Sequence, residues 1–171
     1  ARPIANLKFT KEQELSALTQ ATKQPFNVNF FTHTPPPEDA AAEKNWRQLL
    51  APYCAELGLD VNTLPPGPAR MPYSNDTAAI LANYRPAIVS FHFGLPAAAL
   101  VDELKSRGSK IMASATTVAE AQWLAANGAD LIIAQGLEAG GHRGHFLSHE
   151  LTQQCGTMAL LPQIVEAVDL P

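Results

Sequence analysis

One unit recurs through the second half of the chain: a short apolar run, a turn marked by glycine or proline, and a helix-like segment. Apolar runs begin at Ala87, Lys110 and Ala129, about 20 residues apart, which leaves room for one helix and two short loops between neighbours. The runs are apolar almost throughout, which is typical of parallel strands covered by helices. This spacing predicts an α/β fold in which right-handed helical crossovers join parallel strands. The predicted strands are residues 26–31, 87–92, 110–114 and 129–135.

Caps and breakers mark the helix boundaries. Capping-box patterns occur at residues 10–13 and 117–120, and Pro25, Gly58, Gly108 and Gly128 are placed to end helices. The predicted helices are residues 12–23, 39–57, 76–84, 96–108, 117–128 and 159–168. A proline-rich stretch, residues 64–75, is too irregular for a helix or a strand and is predicted to be a loop over a surface or a site.

Composition excludes several classes of protein. The chain of 171 residues is 46% hydrophobic and only 16% charged, enough apolar material for one domain with a core. A net charge of −4 without a basic cluster argues against nucleic acid as a partner. Apolar stretches are interrupted too soon for a membrane span, and no signal peptide is recognised. Cys54 and Cys155 lack metal-type spacing, so two free thiols and a cytoplasmic location are expected.

Polar side chains follow the predicted strands at the same end of each. They are His33, His92, Ser114, and Gln135 with His142. Placement at one end is typical of the active face of a (β/α)8, or TIM, barrel. A doubly wound sheet also binds ligands at this end, but confines the site to one crevice, so the barrel is favoured. Four strands are visible, so residues 1–171 are expected to form the central part of such a barrel, about four βα units, with both ends missing.

A glycine-rich segment, residues 136–144, is the strongest candidate for chemistry. Its glycines let a flat or phosphorylated ligand approach the backbone, and His142 supplies an imidazole that can hold or move a proton. The alternative is a histidine that only faces solvent. His145, His149 and Glu150 also suggest metal ligands, but the spacing is not that of a helix face and no cysteine is near, so no metal site is predicted.

Four further residues have two open interpretations each. His92 ends a strand and either faces the barrel mouth or is a buried, hydrogen-bonded core group. Asn29, inside an apolar strand, either binds a cofactor edge or cross-links the barrel interior, since a buried amide needs partners. Tyr73 either lines a substrate pocket or anchors the proline-rich loop. Glu138 either orients the glycine-rich segment or faces water.

Three segments together resemble the nitronate monooxygenase family, formerly called 2-nitropropane dioxygenases, and its first class in particular. They are residues 27–33 with the prolines that follow, residues 90–96, and residues 136–144. The resemblance implies a TIM barrel that holds non-covalent FMN. It implies that His142 is the active-site histidine near the flavin and that His92 is a second pocket histidine. It also implies FMN contacts at Asn29, Gln135 and Gly140, with Gly141 beside them and Ser114 at a position where related barrels touch the cofactor.

The reaction implied by the resemblance is oxidation of alkyl nitronates by O2 to carbonyl compounds and nitrite, with His142 as acid, base or electrostatic partner. The family's first strand and last two strands have no counterpart here, so activity and FMN retention are expected of the complete barrel only. Two alternatives stay open: a related FMN barrel that reduces a quinone or an enoyl thioester with NAD(P)H, and a non-catalytic barrel remnant. The oligomeric state is left open.

Overall fold

In a computed structural model that describes residues 11–64 and 71–171, the chain divides into two units. The larger unit comprises Ala1–His33 and Pro72–Pro171, and the smaller unit comprises Thr34–Met71. Thr10 of the first predicted capping box and residues 65–70 of the predicted proline-rich loop lie outside the described residues.

Four parallel strands form the sheet of the larger unit. They are β1 (Asn27–Phe31), β2 (Ile88–His92), β3 (Lys110–Ala115) and β4 (Leu131–Ala134), and they pair in chain order. The register sets Phe31 opposite His92, Ser90 opposite Met112, and Ser114 opposite Ile133. The described strands show no reversal of order of the kind at which doubly wound sheets bind ligands. The predicted α/β class is confirmed, and consecutive parallel strands fit four units of a (β/α)8 barrel.

Helices separate the strands much as the caps and breakers predict. In the larger unit they are α1 (Lys11–Ala21), α3 (Asn75–Leu81), α4 (Ala98–Ser106), α5 (Val118–Ala126) and α6 (Thr157–Ala167). The smaller unit contains α2 (Ala40–Glu56), where Asp39 Oδ1 accepts hydrogen bonds from two backbone N–H groups of the first turn. A single 3₁₀ turn, Leu151–Gln153, was not predicted.

The two faces of the sheet have different chemistry. The face toward the helices is apolar, and its fully buried members on β2 and β3 are Val89, Phe91, Ile111 and Ala113. Successive side chains on a strand point to opposite faces, so the other face carries Asn27, Asn29, Ser90, His92, Met112 and Ser114. The expectation of strands that are apolar almost throughout is therefore corrected. Only one face is a hydrocarbon core, and the other places polar groups where a ligand can meet them.

Helix α2 carries an apolar stripe in the smaller unit. Trp46, Leu49, Tyr53 and Leu57 are between 58% and 74% exposed. On its polar side, Arg47 pairs with Glu43 at 2.7 Å and donates to the Val61 carbonyl oxygen at 2.7 Å. Across the part of the chain that the structure describes, no helix is both long and apolar enough to cross a membrane.

Candidate functional site at the carboxyl ends of the strands

Four predicted site residues come together at the carboxyl ends of the strands, His92, Ser114, Gln135 and His142, and a fifth, Asn29, lies in the middle of β1 on the same face of the sheet. Asn29, His92 and Ser114 lie on the polar face of β1, β2 and β3 respectively, and Gln135 directly follows β4. The segment that follows Gln135, here called the glycine loop (residues 136–147), folds back so that His142 meets His92 and Gln135. These residues differ in whether their side chains are free to bind a ligand, because most of the side chains already hydrogen-bond within the site.

Both ring nitrogens of His92 are engaged. Nε2 lies 2.9 Å from the carbonyl oxygen of His142, and Nδ1 lies 3.1 Å from Ser114 Oγ. A carbonyl can only accept, so Nε2 is the protonated nitrogen, and the Ser114 hydroxyl donates to Nδ1. Burial lowers the pKa of His92 below its ordinary value, and the hydrogen bond to the His142 carbonyl opposes that effect in part. Neutral His92 thus holds the backbone of His142.

Gln135 holds the same stretch of backbone from the other side. Its Nε2 donates to the His142 carbonyl oxygen at 2.9 Å, and its Oε1 accepts the backbone N–H of Gly144 at 2.6 Å. Two side chains, one at the end of β2 and one directly after β4, therefore converge on one carbonyl oxygen. This double attachment orders the middle of a loop that has no regular secondary structure of its own.

The His142 ring is the free member of the cluster. It is exposed, and neither of its nitrogens hydrogen-bonds to any residue that the structure describes. Phe31 and Phe93 flank it, with ring centroids 5.3 Å and 6.0 Å from the imidazole. Aromatic rings on two sides limit the water around the imidazole and leave its nitrogens available to a ligand.

Glycine is sterically required at two positions of the loop. A Cβ on Gly144 would lie 2.6 Å from Cε1 of His92, and a Cβ on Gly136 would overlap the backbone nitrogen and hydroxyl of Thr157. Gly140 and Gly141 differ, since a Cβ on either would meet nothing within 4 Å. These two glycines leave open space beside His142, as an approaching ligand requires.

Glu138 anchors the start of the glycine loop. Its carboxylate accepts the backbone N–H of Thr157 at 2.9 Å and the Thr157 hydroxyl at 3.1 Å, which caps the first turn of α6. Hydrogen bonds from its own backbone N–H and from that of Thr157 lower the pKa of Glu138. Of the two interpretations left open for Glu138, the structure supports the one in which it orients the loop.

Asn29 belongs to a short polar network below the loop. Asn27 Nδ2 donates to Ser90 Oγ at 2.8 Å, and Ser90 Oγ donates to Asn29 Oδ1 at 2.9 Å. The exposed Asn29 amide keeps its N–H groups free of hydrogen bonds to the described residues. One end of the amide cross-links β1 and β2, as one of the two interpretations predicts, whereas a contact between the outward donors and a cofactor stays a prediction.

Two neighbours of the site were not singled out from the sequence. The Thr32 hydroxyl lies 3.0–3.1 Å from the carbonyl oxygens of His92, Phe93 and Gly94, at the turn after β2. Phe93 itself has φ +74°, a backbone conformation that residues other than glycine rarely adopt. The only signal was the Gly94–Pro96 turn, which does not reveal the positive φ of the preceding residue.

The remaining histidines do not form a metal centre. His145 and His149 lie with ring centroids 5.9 Å apart, and the part of the chain that the structure describes has no group of three or more histidine, cysteine or acidic residues that could hold a metal ion. His33 lies near the site, with its ring centroid 6.1 Å from that of Phe93.

Comparison with known proteins shows the family to which the chain belongs. The profile of the nitronate monooxygenase family matches residues 8–171. The chain belongs to the nitronate monooxygenase family. It is 42% identical over 155 residues to the nitronate monooxygenase of Paraburkholderia phytofirmans and 39% identical over 155 residues to that of Pseudomonas aeruginosa. These alignments cover 88% of this chain but 41% and 43% of the two relatives, so the chain spans less than half of their length.

Solved structures agree with the family and the fold. A crystal structure of a nitroalkane oxidase from Streptomyces ansochromogenes superposes with a TM-score of 0.78 at 35% identity, covering 93% of this chain and 45% of that one. FabK from Thermotoga maritima superposes with a TM-score of 0.60 at 22% identity, covering 94% of this chain and 36% of that one. The second similarity is one of fold alone.

Tyr73, predicted as a substrate contact, is not part of the cluster. Its ring lies on the opposite, helix-facing side of the sheet, 5.1 Å from the ring of Phe30 and 5.2 Å from that of Phe91, and it is 6% exposed. Its backbone N–H donates to the Phe31 carbonyl at 2.8 Å, so it anchors the chain beside β1. The structure supports the anchoring interpretation and places the Tyr73 ring away from the candidate site.

Replacing Tyr73 by phenylalanine is expected to leave stability unchanged or to raise it by about 1 kcal/mol. The reason is that the buried hydroxyl makes no hydrogen bond with the described residues, so its removal ends a desolvation cost. Burial also raises the pKa of Tyr73 to about 12, with the charge of Glu103 adding to the rise. Urea unfolding of the full-length protein measures the change, and a clear loss of stability would show that the hydroxyl has a partner.

Proposed function

We propose that the chain supplies the central part of a single FMN-binding TIM barrel, residues 1–171, in an enzyme that oxidises alkyl nitronates with O2 to carbonyl compounds and nitrite. Family membership and the names of the relatives support the substrate class. The observation that carries the proposal is the exposed His142 ring, whose nitrogens are free while its backbone is held by His92 and Gln135.

His142 has two roles open to it on such a substrate. A nitronate is an anion, and the protonated imidazole would pair with its oxygens. The neutral imidazole would instead remove the α-proton from the parent nitroalkane. The flanking rings of Phe31 and Phe93 would shield either interaction from water and so strengthen it.

The cofactor site would use groups that the loop does not already occupy. When bound, FMN would accept electrons from the substrate and pass them to O2. The free N–H donors of Asn29 and the open backbone at Gly140 and Gly141 are suited to hold its polar edge. Ser114 and Gln135 already bond within the site, so each would contact FMN through a remaining lone pair or N–H group.

The visible spectrum of the full-length protein tests this proposal. A yellow protein that releases FMN on denaturation, and whose flavin band bleaches when an alkyl nitronate is added without O2, is the expected result. A colourless protein without flavin would support the non-catalytic alternative. Rapid NAD(P)H oxidation, with no response to nitronate, would support the alternative of a quinone or enoyl-thioester reductase. Flavin assays after chelator treatment are expected to be unchanged, since no metal takes part in the proposal.

A further inference from the structure

A buried carboxylate, Glu120 on α5, lies behind the glycine loop and takes no part in the proposed chemistry. It is only 2% exposed. Its Oε2 accepts the backbone N–H and the hydroxyl of Thr116, each at 2.7 Å. Its Oε1 accepts the backbone N–H of Phe146 at 2.7 Å and of Leu147 at 3.3 Å. Glu120 therefore joins the end of β3 to the end of the loop that carries His142.

This role differs from the capping box that the sequence indicates at residues 117–120. Thr117 Oγ1 does accept the backbone N–H of Glu120, at 3.2 Å, as a capping box requires. The Glu120 side chain, however, goes to Thr116 and across to a loop 26 residues further along the chain. A buried carboxylate is tolerated only when its oxygens are well satisfied, and here four donors serve two oxygens.

We propose that Glu120 is a positioning residue that sets the place of His142 through the glycine loop, an inference that rests on the proposed function. The loop is attached along its whole length: through Glu138 and the Leu137 N–H at its start, through His92, Gln135 and the Arg143 side chain at its middle, and through Glu120 at its end. The last attachment also seats the Phe146 ring, which packs on Trp123 at 5.3 Å and would contact a Cβ on Gly94 at 3.1 Å. Moving it would shift the peptide units that lead back to His142.

Glu120→Gln is the sharpest variant, because it keeps the shape of the side chain and changes its hydrogen bonding. One oxygen becomes an amide NH2 group, which then faces at least one backbone N–H donor, whichever way the amide is turned. In the full-length protein we expect kcat with an alkyl nitronate to fall about tenfold to a hundredfold, with bound flavin retained, since small displacements of a reacting group have effects of this size. Glu103→Gln on α4, whose half-exposed carboxylate pairs with Arg107 and lies outside the candidate site, is the matched control and should leave kcat unchanged.

Two further readouts separate positioning from general damage. Amide hydrogen exchange at residues 144–147 should rise in Glu120→Gln while exchange in β2 and β3 stays as before. In a His142→Asn background, Glu120→Gln should cost no further activity, because its effect passes through His142. An equal loss of kcat in that background, or unchanged exchange at 144–147, would overturn the proposal.

A loop-side variant covers the case in which Glu120→Gln fails to fold. Leu147→Pro removes one N–H that Glu120 accepts, at an exposed position, whereas Leu147→Ala keeps it. We expect a lower kcat for the proline variant only, and equal activity of the two would count against the proposal. If His142→Asn itself leaves kcat unchanged, the proposed function fails, and the exchange measurement alone then decides whether Glu120 holds the loop.

Discussion

Replacing His142 with asparagine in the full-length protein is expected to lower kcat for alkyl nitronate oxidation by about 10²- to 10⁴-fold, the range associated with a positioned acid or base. Asparagine keeps a polar side chain of similar reach but cannot gain or lose a proton near neutral pH. The hydrogen bonds of His92 and Gln135 go to the backbone carbonyl of residue 142, so the loop should stay in place. Stopped-flow reduction of the flavin by nitronate measures the effect directly.

The visible spectrum and a control variant distinguish loss of catalysis in His142→Asn from loss of the flavin or of the fold. Bound flavin should stay near its normal amount in His142→Asn, because the change removes a side chain that bonds to no described residue. His149→Asn, at an exposed position beyond the glycine loop, should leave kcat unchanged. An unaltered kcat in His142→Asn would remove the catalytic assignment. A lower kcat accompanied by loss of bound flavin would assign His142 to cofactor binding instead.

Gly136→Ala is expected to destabilise the protein by about 1–3 kcal/mol, the usual cost of forcing extra volume into a packed site. The added Cβ would overlap the backbone nitrogen of Thr157, which belongs to the first turn of α6 and cannot move without shifting that helix. The same overlap would break the capping bonds from Thr157 to Glu138. Urea unfolding should show a lower midpoint with an unchanged slope.

Gly140→Ala is the matched control for stability. A Cβ there meets nothing within 4 Å, so the unfolding midpoint should match that of the original protein, within about 0.5 kcal/mol. Equal stability of the two alanine variants would mean that the start of the loop gives way freely and that α6 does not hold it. A large loss in Gly140→Ala would place that glycine under a constraint from outside the described residues.

The order of strands and helices could be predicted because each element carries its own local signal. The apolar runs are bounded by glycine or proline, and Thr117 accepts the N–H of Glu120, as its place in the capping-box pattern indicates. The end of the sheet that carries the site could be predicted too, since polar residues after parallel strands meet at one edge. Short-range rules were sufficient for both.

The division of labour within the site could not be predicted. Ser114, Gln135 and His92 share one signal, a polar residue at a strand end, yet their hydrogen bonds go to one another and to the loop. Tyr73 and Glu120 depend on contacts with residues far away in the chain, and no local pattern reports on which face of the sheet a loop aromatic will pack. Strand alternation was also hidden, because serine and methionine at 90 and 112 break the hydrophobic pattern only weakly.

The hydrogen bonds that hold the backbone of residue 142 have a practical consequence for engineering. His92 and Gln135 bond to the carbonyl oxygen of residue 142, which every amino acid possesses, so these hydrogen bonds do not depend on the side chain at that position. Other acidic, basic or nucleophilic side chains introduced at position 142 should therefore extend from the same backbone position, toward the same open space beside Gly140 and Gly141. Saturation mutagenesis of residue 142 would therefore compare the activities of different side chains on an unchanged loop backbone.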